Sequence, residues 1–191
     1  MFVQKAFVLW LTGLPCSGKT TLSNALKSEF IRYGLVPEQL DGDAVRQKKT
    51  LPLGYTKEDR MKNVMDVILE ASSLEKHGRI VLVSLISPYR IMREFARTLT
   101  SDFTEIYVRC PLSVCERRDV KGMYRLAREG KIKNFTGVSD PYEEPVSPEL
   151  IIETDTLNIK AAVEKIISYL KDRELIPLRP PQKMAHLQKC A

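Results

Sequence analysis

Residues Gly13-Leu14-Pro15-Cys16-Ser17-Gly18-Lys19-Thr20 fit the pattern GxxxxGK[ST]. Glycines at this spacing let the backbone turn and present N–H groups to phosphate oxygens. A helix starting just afterwards adds the positive end of its dipole. Lys19 is suited to neutralising charge on β- and γ-phosphates, and the Thr20 hydroxyl to ligating Mg²⁺; Thr21 completes the nucleotide-binding set. The chemistry implied is binding of Mg-ATP and transfer of its terminal phosphoryl group to a small molecule. Cys16 has two readings, a redox switch near a helix N-terminus or a small filler, of which filler is preferred.

A second group of residues could hold the acceptor. In Asp41-Gly42-Asp43, a carboxylate could ligate Mg²⁺, or orient and deprotonate an attacking hydroxyl. Capping a short helix over residues 44–48 would explain Asp43 but not both aspartates. Arg46 would share a helix face with Asp43 and could hold an anion. Gly54-Tyr55 precedes a long helix on which Arg60 and Asn63 fall at i, i+3, a pairing suited to anion recognition with Tyr55 available to stack. Solvated helix residues are the competing reading. Ile86-Ser87-Pro88-Tyr89-Arg90 ends a strand and opens a helix, either bordering the site or simply starting that helix. Arg117, Arg118, Asp119, Lys121, Arg125 and Arg128 form a basic stretch broken by Gly122, read as a lid over the phosphates or as a solvated helix. Phe135 must either pack or stack on a ligand.

The elements that must position these groups alternate. Continuous apolar runs over residues 6–11 and 79–86 read as buried parallel strands, with shorter strands at 36–40, 105–108 and 150–153. Helices are expected from Lys19 to about Tyr33, from a Thr56-x-x-Asp59 capping box to about His77, from Pro88 to about Leu99, and over 159–170. Residues 111–133 read as polar and helical, and 134–148 as turn-rich and mobile. Strands alternating with helices give an α/β fold, here a three-layer α/β/α P-loop NTPase fold with a parallel five-stranded sheet and a helical lid. Ligands in such sheets bind at the carboxyl ends of the strands, where the polar motifs fall. The expected organisation is one domain over 1–175, with its lid at about 111–148, and a loosely ordered tail over 176–191.

Composition narrows the class. The 191 residues are 43% hydrophobic, enough for a core, and carry a formal net charge of +6. A basic protein attracts polyanions, but the lysines and arginines are scattered, so a small anionic substrate is expected and nucleic acid is not. Cys16, Cys110, Cys115 and Cys190 show no CxxC pair, and His77 and His186 lie far apart, which predicts free thiols, no zinc site and a cytoplasmic setting. No apolar run approaches membrane-spanning length, so no membrane partner is expected.

Taken together, GLPCSGKTT, LDGDAVR, LGYTKEDR, ISPYR, CERRDVKGMYRLAR and FTGVSDPYEEPVSPEL resemble the adenylylsulfate kinases, in that family's order and over most of residues 7–154. The resemblance implies an ATP-dependent phosphotransferase of sulfate assimilation, moving the γ-phosphate of ATP to the 3′-hydroxyl of adenosine 5′-phosphosulfate to give 3′-phosphoadenylyl sulfate and ADP. It implies catalytic roles for Lys19, Asp43, Ser87 and Lys121, and Mg²⁺ on Thr20 and Asp41. It further implies acceptor contacts from Asp41, Asp43, Arg46, Tyr55, Arg60, Asn63, Ile86, Ser87, Pro88, Lys121 and Phe135, with Tyr55 and Phe135 sandwiching the acceptor adenine. Family descriptions give the ISPYR serine, here Ser87, a phosphoserine intermediate; direct in-line transfer needs no such step and is the reading preferred here. The family is often dimeric, so a homodimer is a possible assembly. Departures are PCS-GKT in place of SGS-GKS, Tyr55 for a common phenylalanine, and Ser139 at an often acidic position. The sequence shows no sulfurylase domain, so the phosphosulfate is expected from elsewhere. Two alternatives are a kinase for another hydroxyl acceptor, and a non-catalytic regulator that binds the sulfonucleotide.

Overall fold

The computed structural model describes residues 5–42, 45 and 54–181. Five parallel strands form one sheet in the order β2-β3-β1-β4-β5, where β1 is Phe7–Thr12, β2 Glu38–Asp41, β3 Ile80–Ser84, β4 Phe103–Arg109 and β5 Leu150–Glu153. Among the described residues the helices are α1 (Lys19–Arg32), α2 (Lys57–Lys76), α3 (Arg90–Leu99), α4 (Leu112–Arg118), α5 (Met123–Arg128) and α6 (Ile159–Asp172).

Side-chain alternation along the central strands builds two cores. Phe7, Leu9 and Leu11 of β1, with Ile80 and Leu82 of β3 and Ile106 and Val108 of β4, face α1 and α6. Val8 and Trp10, with Val81 and Val83, face α2 and α3. Both faces are covered, and that is why these strands read as unbroken apolar runs. The three-layer expectation holds.

Several boundaries move. The second strand starts two residues later than its apolar stretch, since only Glu38–Asp41 pairs with β3. The fourth strand is longer than expected, gaining Phe103 and Thr104 before Glu105 and Arg109 after Val108. The helix after β3 begins at Arg90 rather than at Pro88, with Tyr89 as its extended N-cap. The long helix opens where the capping box placed it: the Thr56 hydroxyl accepts the Asp59 N–H at 3.1 Å. Ile176, assigned from sequence to the tail, is 2% exposed and joins the first core with Leu175, so apolar packing passes that boundary. Residues 182–191 lie outside the described residues. Among the described residues no helix is long and apolar enough to cross a membrane.

The turn-rich stretch over 134–148 lacks regular structure apart from a Thr136–Asp140 bridge, as expected, but it is tied down rather than loose. Arg93 donates to the Glu143 carbonyl at 2.6 Å, Glu143 N–H donates to the Pro88 carbonyl at 2.8 Å, and Arg90 N–H donates to the Glu143 carboxylate at 2.7 Å.

Candidate active site

The sheet order decides where a site can form. β1 leads into α1 on one face, while its neighbour β3 leads toward α3 on the other, so the connections diverge and open a crevice over the strand ends. Residues 13–20 curl over the end of β1. Gly13 has φ 153°, and a Cβ there would meet the Val108 carbonyl oxygen at 2.4 Å, so the loop passes too close to β4 for a side chain. Gly18, at φ 101°, turns the chain into α1. Lys19, 8% exposed, reaches back inside the loop and donates to the carbonyls of Gly13 at 2.9 Å and Leu14 at 2.7 Å. Its ammonium is thus fixed at the centre of the curl. Cys16 has φ 60° and packs half-buried against Cys110, Cys115 and Tyr124, in keeping with a filler. Cys16, Cys110 and Cys115 are free, and burial, then the hydrogen bond to Cys110, pushes the Cys115 thiol up to about 12.

Thr20 opens α1 on its exposed side and donates its hydroxyl to Asp41 Oδ2 at 2.9 Å, joining the phosphate loop to the end of β2. A hydroxyl and a carboxylate are hard oxygen donors, the kind Mg²⁺ takes. The residues present therefore fit that ion. Among the described residues no group of three His, Cys, Asp or Glu side chains is gathered for a metal.

Arg60 and Asn63, on the first turns of α2, are 5% and 3% exposed. That rules out the solvated-helix reading. Arg60 Nε donates to the Tyr55 carbonyl at 3.1 Å and Nη2 to the Asn134 carbonyl at 2.5 Å, while its guanidinium lies 5.6 Å from the Tyr55 ring centroid. One side chain thereby ties the Tyr55 segment to the residue before Phe135. Asn63 Oδ1 is buried without a hydrogen-bond partner among the described residues, an arrangement that ordinarily costs about 1–3 kcal/mol and so favours a ligand donor. Phe135 packs: it is buried, edge-on to Tyr124 at 5.0 Å. Tyr55 remains 41% exposed.

Ser87 sits in a closed polar chain behind the site. Trp10 Nε1–H donates to its Oγ at 3.0 Å, and its own proton goes to Thr12 Oγ1 at 3.1 Å. Thr12 donates to the Ile86 carbonyl at 2.7 Å, so the Tyr142 hydroxyl, 3.0 Å from Thr12, must be the donor in that pair. Ser87 is 1% exposed with φ 40°. Pro88 is buried beside it and Ile86 half-buried. Lys121 lies on the exposed turn between α4 and α5. Asp43 and Arg46 lie outside the described residues.

Sequence reasoning missed the lid's fastenings. Arg118 donates to the Thr154 carbonyl at 2.7 Å, and the Thr154 hydroxyl donates to the Ser17 carbonyl at 2.7 Å, so the end of β5 braces the phosphate loop. Tyr124 on α5 donates its hydroxyl to the Pro15 carbonyl at 3.0 Å. Nothing in the spacing of these residues distinguishes them from ordinary lid positions. Turn-forming Thr154-Asp155-Thr156 after a strand was the one available signal.

Comparison with known proteins accords with this geometry. Residues 5–153 match the family model described as adenylylsulphate kinase. The adenylyl-sulfate kinase of Halothermothrix orenii is 45% identical over 92% of this chain and 95% of its own length. That of Microcystis aeruginosa is 47% identical over 88% and 93%. The Mycobacterium tuberculosis APS kinase, solved in complex with AMPPNP and APS, superposes with a TM-score of 0.83 at 33% identity, covering 88% of this chain and 99% of that one. A phosphate loop braced by a lid, a hydroxyl–carboxylate pair at its edge and a match spanning both halves of the crevice lead to one assignment: the chain belongs to the adenylylsulphate kinase family.

Proposed function

We propose that this chain transfers the γ-phosphate of ATP to the 3′-hydroxyl of adenosine 5′-phosphosulfate, giving 3′-phosphoadenylyl sulfate and ADP. The observation that carries the choice of acceptor is the buried pair Arg60 and Asn63, with an unpaired amide oxygen, beside the strand that ends in Asp41. A cation and an amide sheltered from water are what an anionic, hydrogen-bonding acceptor calls for.

Residues 13–21 bind the ATP phosphates, with Lys19 countering charge as it develops on the transferred group. Mg²⁺ would be held by Thr20 and Asp41, where it would supply neutralisation of phosphate charge. Asp43 orients and deprotonates the acceptor hydroxyl, and Arg46 joins Arg60 and Asn63 on its anionic part. Tyr55 and Phe135 flank the acceptor adenine, Tyr55 as the exposed jaw and Phe135 as the packed one, with Ile86 and Pro88 at its edge. Lys121 reaches the reacting phosphates from a lid over about 111–148, which excludes water. Ser87 shapes the floor rather than carrying the phosphoryl group, since its hydroxyl is already engaged on both sides.

The test is ADP release with adenosine phosphosulfate set against gluconate, shikimate and nucleosides. Turnover of the sulfonucleotide alone is the expected result. Turnover confined to a non-sulfated hydroxyl acceptor would sink the assignment, and no turnover with any would favour a binding module.

A further inference from the structure

Asp140 has no place in the reaction set out above, yet it connects three parts of the acceptor side. Its carboxylate accepts the Tyr89 hydroxyl, which lies 2.9 Å from both of its oxygens, and its Oδ2 lies 3.8 Å from Arg60 Nε. The side chains of Arg60 and Asp140 are 6% and 16% exposed, so solvent screens this pair weakly. The residue itself is anchored through the tight turn around Phe135. Asp140 N–H donates to the Phe135 carbonyl at 3.1 Å, and its own carbonyl accepts the Gly137 N–H at 2.8 Å.

Arg60 donates Nε to one carbonyl and Nη2 to another, and the Asp140 carboxylate places a formal negative charge beside this buried guanidinium. A carboxylate that closed into a bidentate pair would also cap the guanidinium and compete with an anionic acceptor. The Tyr89 hydroxyl prevents that closure by engaging the carboxylate, which stands off at 3.8 Å. Tyr89 is well placed to do so, as the N-cap of α3 and neighbour of Pro88, whose carbonyl is itself held by Glu143. We propose that Asp140, restrained by Tyr89, is a positioning residue that keeps Arg60 aimed at the anionic part of the acceptor without capping it. Burial and the Asp140 carboxylate together push the Tyr89 hydroxyl up to about 12, so it stays a donor throughout the neutral range. The inference rests on the reading of Arg60 as an acceptor ligand.

Steady-state kinetics of Asp140→Asn, Tyr89→Phe and the double variant test it. Neutralising Asp140 weakens a charge-assisted interaction at one remove from the acceptor. Asp140→Asn should therefore raise KM for adenosine phosphosulfate by about tenfold, with kcat and KM for ATP nearly unchanged. Tyr89→Phe, which deletes one oxygen atom, should raise the same KM by a smaller factor and add nothing once Asp140 is already Asn. A purely structural role would instead lower kcat and weaken both substrates together, or give additive effects. Either pattern overturns the inference, as does an unchanged KM. Should Asp140→Asn fail to fold, the KM split in Tyr89→Phe decides alone. A wild-type protein that ignores adenosine phosphosulfate means the acceptor reading fails and takes this inference with it. If the wild type turns it over and both single variants match its KM, only the role of Asp140 falls.

Discussion

The two halves of the crevice are built differently. The donor half is almost one continuous stretch: Lys19 bonds to Gly13 and Leu14, six and five residues away, and glycines impose the curl by local geometry. The acceptor half exists only after the sheet has formed. Arg60 bonds to Asn134, 74 residues further on, and Asp140 reaches back 51 residues to Tyr89. Covalent spacing therefore specifies the curl of the first, which Tyr124 and Thr154 then brace from afar, whereas tertiary packing specifies the second throughout. A change in the donor half should strike one function hard, whereas changes in the acceptor half should spread through partners.

The largest expected effect tests the donor half. Lys19→Ala removes a fixed ammonium from a sheltered site, and loss of one such charge-stabilising group costs about 10²–10³ in kcat. A variant with near wild-type kcat would mean that the loop binds nucleotide without contributing to the chemistry. Next comes Asp43→Asn, which should lower kcat by about 10²–10⁴, the usual worth of a general base, while KM for ATP stays close to wild type. That split would separate the halves cleanly. Wild-type turnover would remove Asp43 from the catalytic set, and a parallel loss of ATP affinity would show that the halves are not independent.

The same contrast explains what could be read from sequence. The phosphate loop and the alternating strands were legible because apolar runs and glycine spacing are local signals, and the capping box at Thr56 marked α2 to the residue. Arg60 and Asn63 could be singled out, but not shown to be buried, because a buried helix face and a solvated one carry the same polar letters at i, i+3. The 134–148 stretch misled for a related reason. Proline, glycine and serine reveal irregular backbone, but not that Tyr142 would reach Thr12, or that Asp140 would meet Tyr89. Those pairings depend on which strands are neighbours, and order in the chain does not state that.

A smaller effect sharpens the comparison at the border between halves. Ser87 follows β3 but accepts a hydrogen bond from Trp10 of β1. Ser87→Ala should keep substantial kcat, since no step needs its hydroxyl, yet leave the Trp10 N–H buried without an acceptor. Such an orphan costs about 1–3 kcal/mol, which in a chain of this size lowers Tm by several degrees. Thermal melting and ADP release on the same preparation would show it. Complete loss of turnover with an unchanged Tm, and phosphoserine trapped in the wild type, would reverse the assignment.

The smallest effect concerns the lid that joins the halves. Asp119 caps α5, accepting N–H bonds from Tyr124 and Arg125 at 3.0 Å each, and Tyr124 in turn holds the Pro15 carbonyl. Partial burial pushes the Asp119 carboxyl up, but the N–H donors of Tyr124, Arg125 and Met123 outweigh it and hold the carboxyl below its ordinary value of 3.8. A carboxyl depressed on folding contributes its stability above that ordinary value and loses it as pH falls through the lower, folded value. Protection of the Tyr124 and Arg125 amides from hydrogen exchange, corrected for intrinsic rates, should therefore hold from neutrality down to about pH 4 and decline only in stronger acid. Asp119→Asn, which keeps an acceptor but cannot titrate, should flatten that acid limb. Identical profiles in the two proteins would mean that Tyr124 packing, and not the carboxylate cap, fastens the lid to the phosphate loop.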